Sequence, residues 1–178
     1  IQLDLIKKSE QNAQFTLSQQ NKDLSFLKKL FDLEKIPKSI ECIDISNLHK
    51  DSTTASIVCF KDNKLTKEKY KIFNIKSVHK KPNDLQSIEE AVTRRLKQED
   101  LPDLLVIDGG KGQLNSALKA LAKFSDIKID IISLAKEKSL CNKDYFLETK
   151  KSDERIFIKG KKNPIILRKE NYTLSQVK

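Results

Sequence analysis

The 178-residue chain carries 35 Lys and Arg against 25 Asp and Glu, a net charge of +10, and its length suits one domain able to bury about 70% of the surface its unfolded form exposes. No apolar stretch approaches the ~18 residues of a membrane span and no signal-like segment opens the chain; Cys42, Cys59 and Cys141 are odd in number and far apart, which argues against a disulfide framework or a cysteine zinc site. These features predict a cytoplasmic protein with reduced thiols and a surface that attracts phosphate backbones or anionic lipid, although a Lys-, Ile- and Asn-rich genome produces the same charge without selection for binding. With no methionine and Ile1 at its start, the chain reads as part of something longer.

From Ile1 to about Phe31, apolar residues spaced along a polar background predict one or two amphipathic helices, ended by Pro37. Ile40 to Ser46, Thr54 to Phe60 and Lys69 to Lys76 read as three strands, with Lys61-Asp62-Asn63-Lys64 as a hairpin turn between the last two. Leu85 to Gln98 follows as a helix with Ile88, Ala91, Val92 and Leu96 in one stripe, and Asp84 is placed to cap it. After Pro102 come the strand Leu104 to Asp108, the turn Gly109-Gly110-Lys111-Gly112, a helix through Leu121, and a strand from Ile127 to Leu134. Asp144 to Leu147, Arg155 to Ile158 and Pro164 to Leu167 read as short strands or a hairpin extension. The sum is an α/β chain with a mixed sheet. It divides into an N-terminal helical extension over 1–38 and an α/β domain over 39–178.

Two aspartates close apolar strand-like runs: Asp44 in Ile40-Glu41-Cys42-Ile43-Asp44-Ile45-Ser46, and Asp108 in Leu104-Leu105-Val106-Ile107-Asp108-Gly109-Gly110. A carboxylate there is costly to desolvate unless a cation or hydrogen-bond donors meet it. The order of three strands in meander, helix, strand, helix and strand resembles the ribonuclease H-like fold, which implies a strand order 3-2-1-4-5 and sets the two aspartates on neighbouring parallel strands. Adjacent carboxylates invite hard oxygen-loving cations, Mg²⁺ or Mn²⁺. Paired ions of that kind activate water and stabilise the leaving oxygen of a phosphodiester. The plainer readings are a strand-end turn for Asp108, a hydrogen-bonded core carboxylate for Asp44 and a helix cap for Asp84. The glycine turn lacks the spacing of a triphosphate-wrapping loop. Lys111, Arg94, Arg95 and the run Lys159-Gly160-Lys161-Lys162 are equally consistent with solvated charge.

More specifically, Glu41-Cys42-Ile43-Asp44-Ile45-Ser46, Thr54-Ala55-Ser56, Thr93-Arg94-Arg95, Pro102-Asp103, Ile107-Asp108-Gly109-Gly110-Lys111-Gly112-Gln113-Leu114 and Leu134-Ala135-Lys136 resemble the C-terminal, ribonuclease H-like half of the UvrC family. The similarity runs from roughly Asn12 to Leu174. UvrC is the incision subunit of the bacterial UvrABC excision nuclease. The resemblance therefore implies a metal-dependent endonuclease that cuts damaged double-stranded DNA on the 5′ side of a lesion in nucleotide excision repair, acting on a UvrB–DNA complex that parts of the protein outside this chain engage. It implies that Asp44, Asp108 and Asp84 are catalytic and that Asp44 and Asp108 hold the Mg²⁺ or Mn²⁺; Lys111, Gln113, Arg94 and Arg95 are the candidate DNA contacts. The family's catalytic histidine is expected just beyond Lys178; His49 and His79 do not match it, Ser175 stands where many relatives have another histidine, and Asn47 and Lys50 depart from the usual His and Gly. An alternative follows from that gap: a non-catalytic DNA-binding and docking module, inactive without the histidine segment.

Overall fold

The computed structural model describes residues 23–49, 52–76, 83–136 and 154–167, without the side chains of residues 48, 49 and 52. His79, Cys141, Ser175, the segment Asp144 to Leu147 and the side chain of His49 lie outside them. Residues 23–31 form helix α1. β1 (Ser39–His49), β2 (Ser52–Lys61), the two-residue β3 (Lys64–Leu65) and β4 (Lys71–Asn74) follow, then α2 (Asp84–Leu96), β5 (Leu104–Asp108), α3 (Lys111–Leu121), β6 (Asp130–Ala135), β7 (Glu154–Ile158) and β8 (Ile165–Leu167).

All the strands join one sheet in the order β3-β2-β1-β5-β6-β7-β8, with β4 also on the outer edge of β2. β1 and β2 are antiparallel, β1, β5 and β6 are parallel, and β7 and β8 return antiparallel. The expected order, meander edge to parallel strands, is therefore present, and the C-terminal hairpin extends the sheet on its far side. Asp62 and Asn63 both take positive φ, 50° and 64°, the pairing a two-residue turn needs to match the right-handed twist of a hairpin. The third expected strand, Lys69 to Lys76, is present as the shorter β4. The two-residue β3, outside the expected strands, precedes it across a 3₁₀ turn at Lys67–Lys69, so the Asp62-Asn63 turn joins β2 to β3, and both β3 and β4 pair with β2.

Alternation along the strands sends residues to two different cores. On one face Ile43, Ala55, Ile57, Phe73, Leu105, Ile107 and Ile131 pack under Ile88, Ala91, Val92 and Leu96 of α2 and Leu114, Ala117 and Ala120 of α3. On the other, Leu104, Ile132 and Ile156 pack under Phe31 and Leu33 at the end of α1. The α1 segment is tied down by polar contacts as well: Asp130 accepts from Glu34 N at 3.0 Å, and Asp103 accepts from Lys38 N, Ser39 N and Ser39 Oγ at 2.8, 2.9 and 3.2 Å. The boundary expected at residue 38/39 thus falls within a stretch bound to the start of β5.

The cap of α2 differs from expectation. Asn83 is the N-cap, its side chain accepting from Leu85 N and Gln86 N at 3.2 and 3.3 Å. Asp84 is the first helical residue, where its negative charge favours the positive helix end without a capping hydrogen bond. The asparagine one residue earlier takes the role expected of Asp84, because a cap side chain bonds the amides two and three residues ahead of it, which from Asn83 are those of Leu85 and Gln86.

Candidate active site

Asp44 and Asp108 meet because β1 and β5 are parallel and in register. Ile40 pairs with Leu104, Cys42 with Val106 and Ile43 with Ile107, so the next matched level holds the two aspartates, on strands about 4.8 Å apart. Ile43 and Ile107 belong to the core beneath α2 and α3; alternation therefore turns both aspartates to the opposite face. Among the described residues, the α1 segment packs on that face in a cluster with Ile40 at the start of β1 and with residues of β5 to β8. Beside Asp44 it is open, with Val58 39% and Ile72 73% exposed.

Ser46 Oγ donates to Asp44 Oδ2 at 3.0 Å. Asp108 is less free: its carboxylate is 20% exposed and Lys136 Nζ donates to Oδ2. The hydrogen bond and charge of Asp108, with a smaller contribution from Asp44, push the Lys136 pKa up. Cys42, two residues before Asp44 on the same face, has its thiol pushed up by burial first and then by Asp108 and Asp44. Both carboxylates therefore act on the same small group of side chains. A protonated thiol is no competitor for a metal.

The turn after Asp108 is fixed by backbone and by Gln113. Gly109 N donates to Leu134 O at 2.9 Å and Ser133 Oγ to Gly110 O at 3.2 Å. Gly110 N donates to Gln113 Oε1 at 3.1 Å, closing the first turn of α3. Gly109 sits at φ +150°, and a Cβ there would lie 2.7–2.9 Å from the Gln113 side chain. Gln113, expected to face DNA, is thus half-buried and committed to the helix start. Lys111 is exposed at the first helical position and borders a cleft of about 330 Å³ whose floor includes Leu114, Leu118 and Phe157 and whose far rim is Lys159, Lys161 and Lys162.

Asp84 stands at the N-terminus of α2, near the same corner: the adjacent Leu85 packs against Gly112. Its exposed carboxylate has no hydrogen bond or ion pair among the described residues. Arg94 is held on its own surface, donating to Asn74 O at 2.6 Å and to Glu90 Oε1 at 3.3 Å with its guanidinium 4.6 Å from the Phe73 ring centroid. Arg95, expected to face DNA, is turned into the interior. It is 1% exposed and clamps the 3% exposed Glu41, Nε to Oε2 at 2.6 Å and NH2 to Oε1 at 2.9 Å, while NH2 and NH1 also donate to the carbonyls of Asp100 and Glu99 at 2.7 and 3.3 Å. Pattern reading of the sequence misses this pair. Its signal is nonetheless there: Glu41 shares its strand face with Ile43 and Ile45, so a carboxylate at that position is inward-facing.

Two hard oxygen donors at the same level on neighbouring strands, beside a thiol held protonated, fit Mg²⁺ or Mn²⁺ better than a thiolate-seeking metal. Among the described residues no third His, Cys, Asp or Glu completes a ready cluster with them. A magnesium-like ion that keeps several waters and takes substrate phosphate oxygens needs only one or two carboxylates.

Several comparisons bear on this arrangement. The UvrABC system protein C of Petrotoga mobilis is 45% identical over 122 residues, covering 65% of this chain and 21% of that protein. That of Geotalea daltonii is 33% identical over 183 residues, covering 97% of this chain and 29% of that protein. The chain thus spans less than a third of the length of these curated relatives. The structure of Ciona intestinalis endonuclease V in complex with a 24mer DNA is 12% identical with a TM-score of 0.42, covering 79% of this chain and 64% of that one, too distant to bear on the site. The family model described as the UvrC RNase H endonuclease domain matches residues 28–178, and the chain belongs to that family.

Proposed function

We propose that this domain is the metal-dependent nuclease that makes the 5′ incision in the damaged strand of double-stranded DNA during nucleotide excision repair, within a UvrABC-type system and on a UvrB–DNA complex. The observation that carries the reading is the register of β1 and β5, which brings Asp44 and Asp108 to one level of an open sheet face. Membership of an endonuclease domain family supports it.

In this reading Asp44 and Asp108 hold Mg²⁺ or Mn²⁺. When bound, such a cation supplies an activated water and charge neutralisation at the phosphoryl oxygens. In the hydrolysis the water oxygen joins phosphorus, one P–O ester bond breaks, and the water's proton ends on the departing oxygen. The chain's own contribution is placement. The glycine turn fixes where Asp108 ends and α3 begins, Lys111 presents a cation to the DNA backbone beside it, and Asp84 adds negative charge at the neighbouring helix start, where it acts on incision through the cation site. Arg95 and Gln113, being committed inside the domain, are not assigned to DNA.

The test is incision by the complete protein. Asp44→Asn and Asp108→Asn each abolish 5′ cutting while leaving the thermal unfolding of the domain unchanged within a few degrees. Normal cutting by either variant refutes the assignment. Salt-dependent DNA binding by the 178-residue chain, with no gain of cutting when it is extended by a few tens of residues, favours the docking module instead.

A further inference from the structure

Lys136 reaches the carboxylate pair through strand register. Leu134 pairs with Asp108 across β5 and β6, and Lys136 lies two residues further on the same face, just past the end of β6. Its Nζ then donates to Asp108 Oδ2. The contact joins an exposed cation to a sheltered anion: the Lys136 side chain is 71% exposed, whereas that of Asp108 is 20% exposed. Among the described residues it is the only basic group hydrogen-bonded or ion-paired to either aspartate.

Two adjacent carboxylates repel one another unless positive charge lies between them. With no divalent cation bound, the ammonium supplies that charge. A divalent cation held by the Asp108 carboxylate repels the ammonium beside it and takes over the balancing of that charge, so loading the site releases Lys136, while the end of β6 keeps the flexible four-carbon stem anchored beside it. Freed there, a lysine is a point charge suited to a phosphate oxygen, which is the anion brought to this face by the nucleic-acid strand.

We infer that Lys136 is a resident cation of the two-carboxylate site, balancing Asp108 when no divalent ion is bound and passing its ammonium to a phosphate oxygen of the DNA strand when one is. The inference rests on the reading of Asp44 and Asp108 as the metal-holding pair. It predicts effects of opposite sign. Removing the lysine removes a competitor for Asp108 and tightens metal binding, yet weakens action on DNA.

The measurement is Mn²⁺ titration of the 178-residue chain by calorimetry, paired with incision kinetics of the complete protein, for Lys136→Ala and Lys136→Arg, with Asp44→Asn and Asp108→Asn alongside. Lys136→Ala binds Mn²⁺ about two- to fivefold more tightly, the scale of one exposed ion pair, and its incision kcat/KM falls about 10- to 150-fold, the scale of a charged hydrogen bond. Lys136→Arg keeps the cation and binds Mn²⁺ as the unmodified chain does. Unchanged or weaker Mn²⁺ binding in Lys136→Ala overturns the inference, as does unchanged incision. If the unmodified chain shows no Mn²⁺ heat, appearance of binding in Lys136→Ala supports it and continued absence overturns it. Binding lost in Asp44→Asn but unaltered in Lys136→Ala removes only the lysine's role; full Mn²⁺ binding in both aspartate variants removes the carboxylate reading itself.

Discussion

Replacing Arg95 with alanine tests whether the Thr93-Arg94-Arg95 stretch serves the interior or the DNA. Arg95 makes four hydrogen bonds, two to Glu41 and one each to the carbonyls of Glu99 and Asp100, at 2.6 to 3.3 Å, with both charged side chains at most 3% exposed. Truncating it leaves the Glu41 carboxylate buried and unpaired on the central strand and frees two carbonyls in the turn after α2. Breaking a buried pair of this kind costs about 3–5 kcal/mol, a large part of the ~5–15 kcal/mol that stabilises a typical domain. At about 2–4 °C per kcal/mol for a chain of this size, the melting temperature falls by about 6–20 °C. Glu41→Met combined with Arg95→Met fills the same volume without an orphan charge and recovers most of the loss, because the desolvation cost of the ions disappears with them. Urea unfolding followed by circular dichroism gives both numbers. An Arg95→Ala domain that loses less than about 1 kcal/mol, or a double variant no more stable than the single one, refutes the argument that the pair is held for the fold.

Gly109→Ala places a methyl group 2.7–2.9 Å from the Gln113 side chain at φ +150°; a stability loss of about 1–3 kcal/mol is expected, only partly relieved by adding Gln113→Ala because the backbone angle remains, and full recovery in the double variant contradicts the dihedral argument. Burial, the largest single influence on Asp103, raises its pKa, but Lys35 at 2.5 Å and the amides of Ser39 and Lys38 together outweigh it and hold the carboxyl below its ordinary value. A depressed folded pKa gives stability that is complete above the unfolded value of about 3.9 and lost as pH falls through the folded one; the melting-temperature gap between the unmodified chain and Asp103→Asn is accordingly widest near neutrality and shrinks below about pH 4, and a gap that grows on acidification contradicts it. Lys159 and Lys162 rim the cleft that begins at Lys111 and form no ion pair among the described residues, unlike Lys161, which lies 3.5 Å from Asp32. If that rim tracks a duplex backbone, Lys159→Ala with Lys162→Ala lowers the slope of log affinity against log salt by about 0.9 for each phosphate no longer neutralised, whereas an unaltered slope assigns both lysines to solvent.

The element types, the helix stripe on α2 and the aspartates at two strand ends were legible in the sequence because each depends on local periodicity: alternation in Ile40 to Ser46, a 3.6-residue stripe at Ile88, Ala91, Val92 and Leu96, and glycines where the chain turns. The joining of Asp44 to Asp108 was legible only through the order of the elements and the family resemblance, since a register between strands separated by a helix leaves no local mark. Tertiary structure alone decided the fates of the polar residues. Adjacent arginines on one helix differ by a rotation of about 100°, and that rotation puts Arg95 on a buried glutamate and Arg94 over Phe73 at the rim. Gln113 looks like a DNA contact until Gly110's amide claims it, and Lys136, an ordinary lysine by pattern, becomes the partner of Asp108 because parallel pairing of β5 with β6 brings its strand end there. Local chemistry set what each residue could do; long-range pairing set which neighbour it did it with.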